Sequence, residues 1–160
     1  MEHLWSPWRM EYIREATQET GDQGCVFCSI PGQEGDRVLV RDELAYVVLN
    51  KFPYNPGHVL VVPLRHVADL SELTADESAA LHSLLQRSVA AIRAEADPHG
   101  FNIGMNLGRP AGAGIPDHLH WHVVPRWSGD TNFMPVVGQT RVLPELLAET
   151  ARRLAPRFAR

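Results

Sequence analysis

The stretch Asp117-His118-Leu119-His120-Trp121-His122-Val123-Val124-Pro125 decides how this chain is read. Successive side chains of an extended strand point to opposite faces, so the three histidines face one way and Leu119, Trp121 and Val123 the other. The apolar set anchors the strand in a core, while the imidazoles line a surface or cleft at intervals of roughly 6.5–7 Å. With 8 histidines in 160 residues, three at this alternate spacing make a poor accident. The row spans about 13 Å end to end, too far for all three rings to meet one metal ion. At most two of them serve as ligands, with a further ligand from elsewhere.

Neutral imidazole is a nucleophile near neutral pH, and the contact made by one ring nitrogen decides which nitrogen keeps its lone pair. Held between like neighbours, His120 is placed to attack phosphorus, splitting one hard displacement into two. His122 then supports charge on the phosphate or the leaving group. The preceding loop, Asn106-Leu107-Gly108-Arg109-Pro110-Ala111-Gly112-Ala113-Gly114-Ile115-Pro116, lets backbone amides approach a phosphate, with Gly112 and Gly114 at its centre. Taken alone, such a loop also reads as a plain hairpin connection. No GxxxxGK[ST] or GxGxxG pattern competes with it.

Outward from this stretch the chain is one ordinary domain. Hydrophobic residues make up 44% and charged residues 21%, within the range of globular proteins. The net charge of -4 and the lack of a Lys/Arg block argue against a nucleic-acid partner, while a small anionic ligand needs only local donors. No basic-then-apolar leader and no apolar run near ~20 residues is present, so neither secretion nor membrane insertion is expected. Two cysteines, Cys25 and Cys28, are too few for a disulfide framework, and a cytoplasmic setting is the simplest expectation.

Residues 37–40, 44–49 and 58–63 read as strands separated by turns. Thr74-Ala75-Asp76-Glu77 is a capping box, and Leu81, Leu84, Leu85, Val89 and Ile92 follow as one helical stripe ended by Asp97-Pro98-His99-Gly100. Residues 101–107 and 118–124 are two further strands, and a last helix near Pro144 carries Leu146, Leu147 and Leu154. The order β-β-β-α-β-β-α with short links predicts an α+β fold on an antiparallel sheet, with one long central helix and a C-terminal helix. Residues 1–160 are expected as a single domain, with 1–24 an N-terminal extension and 136–160 a C-terminal helical segment.

Cys25-Val26-Phe27-Cys28 reads as half of a zinc site, a redox pair or two packed thiols. Pro31 and Gly32 follow too soon for the helix a redox motif wants. A zinc site would take its other two ligands from histidines, since no second CxxC exists. His3, His82 and His99 read as surface or terminal residues.

Three blocks together resemble the histidine-triad (HIT) family: His118-Leu119-His120-Trp121-His122-Val123-Val124, Asn50 to Pro63, and Phe101 to Gly108. The likeness covers about residues 25–135. It implies that His120 is the nucleophile, His122 its phosphate-contacting partner, His118 a supporting residue and His58 the histidine that orients the others. It further implies a ribose contact at Asn50 and a phosphate contact at Asn106. Where many members carry Gln-Ser or Gln-Thr before the triad, this chain has Gly114-Ile115, so loop contacts fall to backbone amides. Some members hold zinc with a cysteine pair and two histidines, which here are Cys25, Cys28, His66 and His118. Residues 4–10 and 124–133 are most similar to bacterial members acting on diadenosine tetraphosphate. A homodimer with a sheet continued across the interface is implied, as is inorganic phosphate or water as second reactant. Adenosine phosphoramidates, a nucleotide-binding signalling role and a zinc-activated water are the competing readings.

Overall fold

The computed structural model describes residues 24–32, 37–130 and 145–159. A short helix α1 (Val26–Ser29) precedes strands β1 (Val38–Arg41), β2 (Ala45–Leu49) and β3 (Val59–Pro63). Helix α2 (Ala75–Ala96), strands β4 (Gly100–Gly104) and β5 (Trp121–Arg126), and helix α3 (Leu147–Phe158) complete the order. The five strands form one antiparallel sheet in the order β1-β2-β3-β5-β4. This is the expected α+β architecture with a long central helix. Among the described residues, no helix is long and apolar enough to cross a membrane.

The β-branched runs explain the centre of the sheet. β2 and β3 are buried on both faces, so they read as continuous apolar segments instead of alternating ones. One face, with Val47, Leu49, Val59, Val61 and Val123, packs under Leu81, Leu84 and Ile92 of α2 and Leu154 of α3. On the other, Tyr46, Val48, Leu60 and Val62 pack against Phe27 and Ile30. The Tyr46 hydroxyl donates to the Phe27 carbonyl at 2.7 Å, tying α1 to the sheet. Burial of a side chain such as Val61 or Val123, each 0% exposed, stabilises the fold by about 1.5–3 kcal/mol.

Helix α2 starts where its capping box places it. The Glu77 amide donates to Thr74 Oγ1 at 3.2 Å, and the Thr74 amide donates to Glu77 Oε2 at 2.9 Å. Arg65 forks onto the same carboxylate with two bonds of 2.7 Å. The helix ends at Asp97, which takes a left-handed φ of 43° before Pro98. The stripe is as read, except that Val89 sits at its half-buried margin.

Three expected boundaries shift. The strand read over 118–124 begins only at Trp121, because the preceding residues bond outside the ladder: the Leu119 amide donates to the Val67 carbonyl at 2.7 Å. The strand read over 101–107 stops at Gly104, ahead of a turn at Arg109–Ala111. The last helix starts at Leu147, leaving Leu146 76% exposed at its cap instead of in the core. Residues 1–23 and 131–144, and with them His3, Pro144 and most of the N-terminal extension, lie outside the described residues.

Candidate active site and cysteine–histidine cluster

Register fixes which face carries the chemistry. Val59 pairs with Val123, Leu60 with His122 and Val61 with Trp121. Val59, Val61 and Val123 belong to the core under α2, so His122 emerges on the face opposite α2 and α3. His118 and His120 precede the strand proper, yet they keep the alternation. Both are buried, 1% and 6% exposed, and the rings of His120 and His122 lie 5.1 Å apart.

Each ring is fixed by a backbone or imidazole contact. His120 Nδ1 donates to the His118 carbonyl at 2.8 Å. The neutral ring therefore carries its proton on Nδ1 and its lone pair on Nε2. The Tyr54 amide donates to His58 Nδ1 at 3.0 Å, so the His58 proton sits on Nε2. That Nε2 donates to His122 Nδ1 at 3.0 Å, which places the His122 proton on its own Nε2. The outcome is an alternating pair: a lone pair on His120 Nε2 and a donor on His122 Nε2. Burial lowers the pKa of His120 from its ordinary value, opposed by the bond to the His118 carbonyl.

The other expected residues surround this pair unequally. Asn50 lies beside His58, its Nδ2 3.3 Å from His58 Nδ1, and its Oδ1 accepts from the Phe52 amide. Asn106 lines a cleft of about 450 Å³ together with His122, Tyr54, Asn102 and Arg126. The Gly112 amide donates to the Arg109 carbonyl at 2.9 Å, closing the turn that the glycine's φ of 91° permits. Gly114 follows in the half-buried loop leading to His118.

Several contributors lay beyond the sequence reading. Tyr54 acts through its backbone amide, which carries no side-chain signature, and its ring stacks 5.8 Å from that of His122. Phe27 places its ring 4.9 Å from His120. Asp130 receives Asn55 at 2.7 Å and a fork from Arg126, fixing the end of β5. Phe27 with His120 and Asn55 with Asp130 join residues far apart in the chain, where no local pattern could link them.

Cys25, Cys28, His66 and His118 come together, their ligand atoms all within 4.8 Å of one another. His118 Nε2 donates to the Pro63 carbonyl at 2.9 Å, which leaves Nδ1 facing Cys25 Sγ at 3.3 Å and Cys28 Sγ at 3.5 Å. His66 Nδ1 lies 3.3 Å from Cys28 Sγ. A tetrahedral zinc with ordinary bond lengths has S···N edges of about 3.6 Å, so the four side chains fit such an ion with small adjustments. The Pro63 carbonyl is the outer contact that commonly orients a ligating imidazole.

The HIT domain family model matches residues 32–129. The chain belongs to the HIT family. Among HIT relatives, a protein named AP-4-A phosphorylase from Mycobacterium tuberculosis is 44% identical over 167 residues, covering 100% of this chain and 86% of its own. An uncharacterized HIT-like protein of Saccharolobus solfataricus is 32% identical over 111 residues, 69% of this chain and 79% of its own. The crystal structure of a Zn-bound histidine triad family protein from Mycobacterium smegmatis superposes with a TM-score of 0.71 at 30% identity, covering 87% of this chain and 96% of that one. HIT membership and the expected fold thus agree with the sequence reading.

Proposed function

We propose that this HIT protein cleaves dinucleoside polyphosphates, diadenosine tetraphosphate among them, at the α-phosphate through a nucleotidyl-histidine on His120. The observation that carries this is the bond from His120 Nδ1 to the His118 carbonyl, which keeps Nε2 unprotonated in a buried site. In the first step Nε2 forms a bond to phosphorus, the P–O bond to the bridging oxygen breaks, and that oxygen leaves with the electron pair. His122 presents a proton at Nε2 to the phosphate or to the departing oxygen, and His58, held by the Tyr54 amide, maintains that tautomer. Asn50 contacts the ribose and Asn106 the phosphate, while the Gly112–Gly114 loop borders the phosphate.

In the second step, water or inorganic phosphate displaces His120. The name of the mycobacterial relative favours phosphate. Incubating diadenosine tetraphosphate with and without phosphate tests the reading: ADP plus ATP only with phosphate marks a phosphorylase, AMP plus ATP a hydrolase. No cleavage in either arm overturns it.

Cys25, Cys28, His66 and His118 would hold zinc, which supplies a cross-link between α1 and the segments around His66 and His118. A cytoplasmic, reducing setting suits such thiolates. A homodimer with its sheet continued through β4 suits that edge strand, on which Ile103 is 47% exposed.

A further inference from the structure

The cleft beside His122 runs well past the histidines. It follows β4 and β5 from His122 and its partner Gly104 to Asn102 and Arg126, on the sheet face that carries His122. His122 and Arg126 are four residues apart on one strand, about 13 Å at strand rise. The far end is set before any ligand arrives. Arg126 Nη1 donates to Asn102 Oδ1 at 2.7 Å, and its Nε and Nη2 fork onto Asp130, which Asn55 also grips. With the Arg126 charge matched by Asp130, that end suits a neutral heterocycle better than another phosphate.

The opposite flank differs in kind. Phe27, Asn50 and His58 belong to α1 and to the β2–β3 side, and the strand order puts three spacings, about 14 Å, between β2 and β4. His122 lines the cleft, whereas His120 is not among its lining residues. Displacement at phosphorus runs in line, so the leaving oxygen departs from the side opposite His120 Nε2. A nucleotide with its first half against Asn50, as proposed above, therefore extends its second half along β4 and β5.

On that basis, and resting on the function proposed above, we infer that the β4–β5 cleft is the subsite for the leaving half of the substrate. Its occupant is the phosphorylated nucleoside expelled from His120, and Asn102 and Arg126 contact its distal base. A volume of about 450 Å³ lies in the range of small-molecule sites. An amide beside a fixed guanidinium edge offers the donors and acceptors that purine edges take.

The test compares kcat/KM for diadenosine tetraphosphate with that for adenosine 5′-phosphorofluoridate, whose leaving group is a single fluoride. Asn102 is exposed, so Asn102→Ala should fold, and Arg126→Lys keeps the charge opposite Asp130. The expected result is a fall of about tenfold in the dinucleotide-to-fluoridate ratio for each variant, carried mainly by KM. An unchanged ratio in both overturns the subsite while leaving His120 chemistry standing. A wild-type protein inactive on both substrates overturns the function itself, and this subsite with it.

Discussion

The carbonyl of His118 accepts from His120 Nδ1 at 2.8 Å, while the ring of the same His118 faces Cys25 and Cys28. One residue thus joins the cysteine cluster to the imidazole expected to attack phosphorus. The backbone, not the side chain, passes between them.

In the proposed mechanism, replacing His120 removes the attacking nitrogen from a residue that precedes the β5 ladder. His120→Ala should lower turnover of diadenosine tetraphosphate by about 10³-fold or more, since the remaining groups only bind and polarise. Wild type denatured at alkaline pH, where a phosphoramidate survives, should carry an AMP adduct by mass spectrometry. An adduct of equal yield on His120→Ala would place the nucleophile elsewhere.

In the proposed mechanism His58 acts through His122. His58→Ala removes the donor to His122 Nδ1, so that ring is free to take the wrong tautomer. Turnover should fall by roughly 10–100-fold, the usual cost of losing an orienting partner. The loss should sit in kcat more than in KM, and a loss confined to KM would count against this role.

Zinc content gives a direct check on the cysteine cluster. Elemental analysis should find one zinc per chain in the wild type and little in Cys28→Ser, whose exposed position leaves no cavity behind. Removing the ion with a chelator should lower the melting temperature by roughly 5 °C or more, because a bound zinc would cross-link distant segments. An unchanged melting curve after verified metal loss would contradict the cross-link.

Acid should weaken one junction with a known sign. The Arg65 guanidinium, aided by the Thr74 amide, holds the Glu77 carboxyl down to about 2 from its usual 4.5. Its stabilising contribution is complete above pH 4.5 and disappears as the pH falls through about 2. Urea midpoints should favour wild type over Glu77→Gln at pH 7, with the gap closing between pH 4.5 and 2. A gap that stays constant would show that the ion pair contributes nothing at the helix start.

Much of the scaffold was readable in advance, because local rules governed it. The capping box set the start of α2, and apolar runs bounded by turn residues marked β1, β2 and β3. Alternation gave the facing of His118, His120 and His122, and the four metal-type ligands came together as the resemblance implied. Much of what escaped the sequence was long-range. Only His122 of the three lies in a strand, since the Pro63 and Val67 carbonyls draw residues 118 and 119 off the ladder. The Tyr54 amide, four residues from His58, escaped because a backbone donor carries no side-chain signature, and the local Arg126–Asp130 pair is completed by distant Asn55.

The two-sided strand around His122 carries a further consequence. Trp121 and Val123 serve the packing under α2, while His122 between them faces the cleft on the opposite side of the sheet. A substitution at either kind of position is felt on one side only. A one-residue slip of β5 against its neighbours would exchange the two sets, turning His122 into the apolar layer and Val123 to the opposite face. One frame of the strand therefore holds the packing and the proposed chemistry apart.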